Sequence, residues 1–338
     1  MLAPKNYVDL FTVKQFLIIQ TAFLGDVILC TPLIEELNRI YPDASIDIVV
    51  RKGNEALLNH HPKLRHIFTF DKKKNKLSAL WEIIRVIRKQ RYHEVINLQR
   101  FTSSGIICAF SKTKQRIGFT TNSLSFIYNK RLPHDFTTGK HEVERNLLTL
   151  AHHGAAKKLR PSLYPSSSDL AKVSPYKEKP YFCLAPASVW FTKQLAESKW
   201  IELLQELEGK GTIFLLGGPS DKVLCERITR DSGVKTRLLA GELSLLESAA
   251  LMKDAEMNYV NDSGPMHLCS AVNAPVRVFY CSTVPSFGFG PLSDNHKIIE
   301  IKEKLACRPC GLHGHKACPQ GHFKCATEIA ITKNQDLF

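Results

Sequence analysis

The residues best suited to chemistry each follow a short apolar run. Gly25-Asp26 comes after the run Phe16 to Gln20 and the loop Thr21 to Gly25, at the entrance to a helical pattern. Glycine permits a tight turn there, and a carboxylate at the carboxyl end of a strand meets whatever ligand that edge holds, where it can accept a proton. Serving the helix dipole as a first-turn acid is the equal alternative for Asp26. One glycine is too few for a Gly-x-Gly-x-x-Gly dinucleotide turn or a P-loop.

Asn261-Asp262-Ser263-Gly264-Pro265-Met266-His267 follows the run Met257 to Val260 and opens another helical pattern. Ser263 and Gly264 would present backbone N–H groups at a helix N-terminus, where anions bind, and Pro265 suits the first turn. His267 falls one turn further, within reach of a phosphate or sugar; an ordinary cap followed by a half-buried histidine fits the same residues. Gly217-Gly218-Pro219-Ser220-Asp221 ends the run Ile213 to Leu216, and its glycines either admit a ligand to the backbone or make a plain turn and cap. Ser188, Trp190, Thr192 and Lys193 lie in the loop after Tyr181 to Ala185 and add hydroxyls and a cation to the same type of edge.

The tail carries Cys307-x2-Cys310-x7-Cys318-x6-Cys325 with His313, His315 and His322 interleaved. These are zinc-ligand types, and the first pair has zinc-knuckle spacing, but a closing Cys-x2-Cys or His-x3-5-His is missing. No metal is expected, with Cys307, Cys310, Cys318 and Cys325 as the alternative ligand set. The other six of the ten cysteines are scattered singly through apolar segments, as small hydrophobes in a reducing compartment.

The elements that must position these residues alternate between apolar runs and helical spacing throughout the chain. Strands are expected at Phe16–Gln20, Ile46–Val50, Ile67–Phe70 and Val95–Leu98, with helices over Leu33–Tyr41 and Leu80–Ile87. A second alternation begins at Tyr181, after a stretch containing Pro161, Pro165, Ser166, Ser167, Ser168, Pro175 and Pro180. The pattern predicts an α/β protein of two doubly wound, Rossmann-like domains, 1–165 and 181–338, joined by a linker at 166–180. Ligands bind beyond the carboxyl ends of such strands, so a cleft between facing domains is the expected site.

A chain of 338 residues with 44% apolar and 23% charged residues can bury two cores and has no disordered composition. Its longest apolar stretches fall well short of the ~20 residues a membrane span requires. The N-terminus shows no ordered basic region, apolar region and cleavage site, so a cytoplasmic location is expected. Residues 1–175 contain 27 Lys and Arg against 14 Asp and Glu, or +13, whereas 176–338 contain 19 against 18, or +1. The basic half implies an anionic partner: nucleic acid, anionic lipid or a phosphorylated substrate. Lys72, Lys73, Lys74 and Lys76 precede a helix carrying Arg85, Arg88 and Lys89, a candidate patch for an acceptor or an anionic membrane. The basic residues lack a regular aromatic interleave, so nucleic acid is not expected.

Taken in order, Phe16 to Leu33 with its Gly25-Asp26 loop, Asn261 to His267, and Cys318-Pro319-Gln320-Gly321-His322-Phe323-Lys324-Cys325 resemble the lipopolysaccharide heptosyltransferases of glycosyltransferase family 9, the tail being similar to the heptosyltransferase II type. The resemblance spans about residues 15–330. It implies a GT-B architecture, with an N-terminal acceptor domain and a C-terminal domain for the donor ADP-heptose, and inverting transfer that needs neither metal nor cofactor. It further implies Asp26 as general base, Lys193 on the donor diphosphate, Asp262 on the heptose, and Ser263, Gly264 and His267 around the phosphates. Ser188, Thr192, Gly217 and Gly218 would complete the donor edge. Where the family commonly has Lys-x-Trp-Pro this chain reads Lys193-Gln194-Leu195-Ala196, so Lys193 is placed by its distance to Trp200, with Lys199 as the second candidate. The absence of Asp-x-Asp in the chain agrees with a metal-free donor site. A lipid-linked anionic glycan is the implied acceptor, met at the inner face of the inner membrane. A GT-B nucleotide-sugar 2-epimerase and a non-catalytic binder of sugar nucleotides or other anions are the competing readings.

Overall fold

A computed structural model describes residues 13–71, 76–154, 157, 160–178, 180–332 and 334–337. The chain forms two compact units, one comprising Met1–Asp135 with Val143–Leu159 and the other Phe136–Glu142 with Arg160–Phe338.

The first unit is built on β1 (Gln15–Gln20), α1 (Leu24–Leu29), α2 (Thr31–Ile40), β2 (Ser45–Arg51), β3 (Leu64–Phe70), α3 (Lys76–Lys89), β4 (Glu94–Asn97), α4 (Thr102–Ala109), β5 (Gln115–Phe119) and β6 (Lys130–Leu132), with α5 (Glu142–Leu147) in its closing segment. All strands are parallel, in the order β3-β2-β1-β4-β5-β6. Phe16 to Ile19 of β1 and Ile48 to Val50 of β2 are at most 1% exposed. Strands covered on both faces read as continuous apolar runs, which is why these were legible. In α3, Ala79, Leu80, Ile83, Ile84 and Ile87 turn inward at helical spacing against Leu17, Ile19 and Val95, while Trp81, Arg85 and Arg88 face water.

The second unit contains α6 (Ser167–Val173), β7 (Tyr181–Ala185), α7 (Glu197–Leu207), β8 (Thr212–Leu215), α8 (Lys222–Ser232), β9 (Arg237–Leu238), α9 (Leu245–Lys253), β10 (Met257–Asn261), α10 (Gly264–Val272), β11 (Val276–Tyr280), β12 (His296–Glu300) and α11 (Lys324–Thr327). Its sheet, also parallel, has the order β12-β11-β10-β7-β8-β9. Trp200, Leu203, Leu204 and Leu207 of α7 join Phe182, Tyr259 and Phe279 in one core. The tail enters that core through Cys325, Ala326, Ile329 and Leu337, and the Tyr259 hydroxyl donates to the Leu337 carbonyl at 2.9 Å.

Residues 166–180, expected as a linker, carry α6 and a following 3-10 turn within the second unit. Ser166 caps α6 by accepting the Asp169 N–H at 3.2 Å, while Asp169 Oδ2 accepts the Ser166 N–H at 2.7 Å. This reciprocal box lets a Ser-rich stretch start a helix.

Candidate functional site

Both sheets reverse strand order once, and such a switch point opens a crevice at the carboxyl edge where ligands bind. In the second unit the switch lies between β7 and β10, whose register sets Ala185 beside Val260. Asn261, the last residue of β10, ties the two following loops together: its Oδ1 accepts the Leu195 N–H at 2.9 Å and its Nδ2 donates to the Pro186 carbonyl at 2.8 Å. That tie delivers Lys193 to Asp262. The Lys193 ammonium lies 2.6 Å from Asp262 Oδ2, the same oxygen that accepts the Thr283 hydroxyl at 2.6 Å.

Ser263, extended at φ −157°, precedes α10 without capping it through its side chain, and Pro265 occupies the first turn. The N–H groups of that turn therefore keep their capacity for an anion, next to an ammonium. His267 is buried behind them. Desolvation, followed by the positive charges of His141 and Lys193, lowers its pKa to about 3, so the imidazole is neutral; its Nδ1 has no hydrogen-bond partner among the described residues. Within this site the cation is Lys193, and His267 can contribute only as a neutral donor or acceptor.

The remaining expected donor residues divide. The Ser188 carbonyl accepts Gln194 Nε2 at 2.7 Å and so shapes the Lys193 loop. Thr192 is 2% exposed and clamps the tail: its N–H donates to the His315 carbonyl at 3.1 Å and its Oγ1 accepts the His315 N–H at 2.7 Å. Gly218 donates its N–H to Asp221 Oδ2 at 2.8 Å, and a Cβ at Gly217 would stand 2.8 Å from Asp221 Cβ, so these glycines make room for their own turn. Lys199 pairs with Glu202 along α7 at 2.8 Å, which leaves Lys193 as the lysine at the switch point.

The Cys-rich tail closes over the carboxyl end of β11. Arg308 fastens it by donating to the carbonyls of Cys281 at 2.7 Å, Thr283 at 2.9 Å and Tyr280 at 3.2 Å, and to Glu300 at 2.5 Å. Cys307, Cys310, Cys318 and Cys325 line one cavity with Thr192, Ser282 and Phe323, and Cys307 Sγ stands 3.8 Å from His322 Nε2. The cysteine sulfurs are not drawn together as a tight ligand set: among the described residues, the group whose ligand atoms all lie within 4.8 Å of one another is Glu94, His152 and His153.

In the first unit the switch lies between β1 and β4. Gln99 Nε2 donates to Gln20 Oε1 across the two strand ends, and Asn54 Nδ2 donates to the Ala22 carbonyl at 3.0 Å. Asp26, half-buried, is the third residue of α1, and its Oδ2 accepts the Phe23 N–H at 3.2 Å. It thus serves the helix start and also stands at the ligand edge. Gly25 is helical rather than part of a tight turn, the reversal falling at the extended Phe23. Sequence reasoning missed Arg51 and Arg100, whose guanidinium groups lie over the exposed rings of Phe23 and Phe101 at 6.0 and 5.4 Å. The available signal was position, since Arg51 ends β2 and Arg100 follows β4 closely. Lys72, Lys73 and Lys74 lie outside the described residues; Lys76 opens α3, and beyond it Leu77, Trp81, Arg85 and Arg88 are exposed.

Residues 80–317 match the model of glycosyltransferase family 9 (heptosyltransferase). Lipopolysaccharide heptosyltransferase 3 of Escherichia coli K12 is 29% identical over 282 residues, covering 77% of this chain and 80% of its own. Lipooligosaccharide heptosyltransferase 2 of Haemophilus influenzae is 24% identical over 319 residues, covering 86% and 89%. Among solved structures, a family 9 glycosyltransferase from Veillonella parvula superposes with a TM-score of 0.78 at 20% identity, covering 85% of each chain. The E. coli ADP-heptose lipopolysaccharide heptosyltransferase II gives 0.74 at 21%, covering 92% of this chain and 96% of that one. The E. coli heptosyltransferase WaaC with ADP gives 0.71 at 20%, covering 84% and 92%. The two Rossmann-like units are those of the GT-B fold, and the chain belongs to glycosyltransferase family 9, the heptosyltransferase family.

Proposed function

We propose that this protein transfers a heptose from ADP-heptose to the lipopolysaccharide inner core, with inversion and without a metal. The observation that carries the reading is the Lys193–Asp262 pair, set beside the N-terminus of α10 at the switch point of the second sheet. An ammonium and helix N–H groups suit a diphosphate, and a carboxylate suits sugar hydroxyls. Solved relatives were captured with ADP and with ADP-2-deoxy-2-fluoro heptose.

The reaction needs one base and one leaving-group site. An acceptor hydroxyl gives its proton to Asp26 while its oxygen attacks the anomeric carbon from the face opposite ADP. The bond to the diphosphate breaks, and its electron pair leaves on ADP. Preorganised charge from Lys193 and the α10 terminus acts where negative charge accumulates. As a base Asp26 acts in its ionised form, which accepts the proton.

The acceptor is an anionic amphiphile in this reading. Arg51 and Arg100 provide charge, and Phe23 and Phe101 apolar surface, at the edge that holds Asp26. The enzyme works from the cytoplasm as a peripheral protein at the inner face of the inner membrane, with α3 toward the lipid. Leu77 and Trp81 are 68% and 58% exposed on one face of that helix, followed by Arg85 and Arg88. Apolar and basic side chains in that order suit an anionic lipid surface.

The test is incubation of purified protein with ADP-heptose and core acceptors truncated at successive sugars. Release of ADP with a mass gain of one heptose residue on a single acceptor is expected. Epimerised sugar nucleotide formed without acceptor would replace this reading by an epimerase, and binding without turnover of either kind by a non-catalytic binder.

A further inference from the structure

Opposite the edge that holds Asp26, at the amino end of β4, Glu94 is 5% exposed and takes both carboxylate oxygens to histidines. Its Oε2 lies 2.8 Å from His152 Nε2, and its Oε1 lies 3.2 Å from His153 Nε2. The two imidazoles lie against each other, tilted by 40°, with centroids 3.7 Å apart. His153 Nδ1 is 2.9 Å from the Tyr41 hydroxyl. Tyr41 is itself held by stacking on Phe16 at 5.4 Å and by the Lys14 ammonium 3.9 Å above its ring. The ligand atoms of Glu94, His152 and His153 all lie within 4.8 Å of one another.

We propose that Glu94, His152 and His153 form a site for a divalent transition-metal ion, best suited to Zn2+, separate from the transfer chemistry. Zinc takes nitrogen and oxygen ligands at roughly 2.0–2.2 Å in a tetrahedron, which sets neighbouring ligand atoms about 3.3 Å apart. The two carboxylate–imidazole spacings, 2.8 and 3.2 Å, lie within about half an ångström of that value, and the three ligand atoms all lie within 4.8 Å of one another. Two imidazoles and one carboxylate are the donor set that zinc accepts with a fourth position left to water. His152, with 22% of its side chain exposed, opens the site to solvent for that water and for entry of the ion.

The surrounding groups already do what a metal site requires. Tyr41 can accept a hydrogen bond from the Nδ1–H of His153, which frees the Nε2 lone pair on the side of Glu94; such outer partners orient ligating histidines. No Lys or Arg pairs with Glu94 among the described residues, so a cation would be the charged partner of a carboxylate that is almost fully buried. Without the ion, the same atoms hold together as imidazole N–H groups donating to the carboxylate. His152 and His153 end the 3-10 helix Leu148–His153, in the last segment of the first unit, so the ion would tie that segment to the central sheet.

Metal-stripped full-length protein titrated with Zn2+ by calorimetry, and with Co2+ by absorption, tests the proposal. One equivalent of Co2+ is expected to give visible d–d bands without the intense near-ultraviolet thiolate band that the tail cysteines would produce, and Zn2+ is expected to raise the melting temperature. His152→Asn, at the more exposed ligand, should weaken that equivalent at least about 10-fold. Glu94→Gln keeps a hydrogen-bonding side chain and should abolish it; if that variant does not fold, His152→Asn decides. Binding with the thiolate signature alone, no binding, or an equivalent of unchanged affinity in His152→Asn would overturn the site and leave a hydrogen-bonded trio.

Discussion

Lys193 and Asp262 meet at 2.6 Å although they follow different strands, the lysine in the loop after β7 and the aspartate at the end of β10. Their side chains are 16% and 6% exposed, and Asp262 is held from another side by Thr283. The ammonium is therefore anchored, and its charge is compensated until an anion competes for it.

Lys193→Ala should weaken ADP binding about 10-fold or more, the worth of a charge-assisted hydrogen bond, and slow transfer with it. It should also lower the melting temperature, because Asp262 is left buried beside one hydroxyl. Adding Asp262→Asn should restore stability without restoring ADP affinity. Calorimetry with ADP separates the two effects, and a larger loss in Lys199→Ala would move the donor site to α7.

For the base, Asp26→Asn retains an oxygen to accept the Phe23 N–H and so should fold normally. Turnover should fall roughly 10²-fold or more while ADP affinity stays level. Steady-state rates beside ADP calorimetry check this, and near-normal turnover would remove Asp26 from the chemistry.

The neutral His267 ties stability to acidity. Its folded pKa, about 3, lies below the ordinary 6.5, so between those values the unfolded chain binds a proton that the folded one refuses. Its stabilising contribution is whole above 6.5 and is lost progressively as pH falls toward 3. Melting temperatures of the protein and of His267→Gln across that range should converge at low pH if the variant is the less stable one at neutral pH. Parallel curves would show that His267 is not the group responsible.

Gly314 sits at φ +75°, and a Cβ there would stand 2.9 Å from Thr192 Oγ1 and 3.1 Å from Lys193 Cγ. Gly314→Ala combines backbone strain with a collision in the Lys193 loop and should cost about 1 kcal/mol or more. Because the strain falls on the loop that positions Lys193, ADP affinity should drop as well. Thermal melting and ADP calorimetry on one preparation measure both; unchanged ADP affinity would uncouple the tail from the donor edge.

Membrane contact through α3 predicts sedimentation with anionic vesicles over neutral ones, reversed by salt. Each cation near an anionic surface is worth about 1 kcal/mol, so changing Lys72, Lys73, Lys74 and Lys76 to Gln should weaken binding about 10²-fold or more. Trp81→Glu should weaken it independently, through the apolar contact. Indifference to both changes would assign the positive charge of the first unit to acceptor phosphates instead.

The central strands and the larger helices were legible because their signal is local. A strand buried on both faces, such as Phe16 to Ile19, is apolar at every position, and a helix such as α3 repeats its inward residues every three or four places. The edge strands β6 and β9, three and two residues long, are too short to show any pattern. At 166–180 the abundance of Pro and Ser outweighed the Ser166-x-x-Asp169 capping box, which was present to be read.

Residue type and spacing marked candidate side chains in the segments that follow strands, Asp26, Lys193, Asp262, Ser263 and Gly264, before any contact was known, with Lys193 preferred over Lys199 through the family resemblance. Tertiary structure decided their partners. Lys193 meets Asp262, Thr192 spends its hydroxyl on a tail residue 123 positions away, Gly217 and Gly218 serve Asp221, and Glu94 gathers two histidines 58 and 59 positions downstream. A parallel sheet sets such pairs side by side through crossovers that leave no trace in the local pattern. Hydrophobic periodicity reports which face of its own element a residue occupies, whereas a hydrogen bond or ion pair depends on which element the strand order brings beside it.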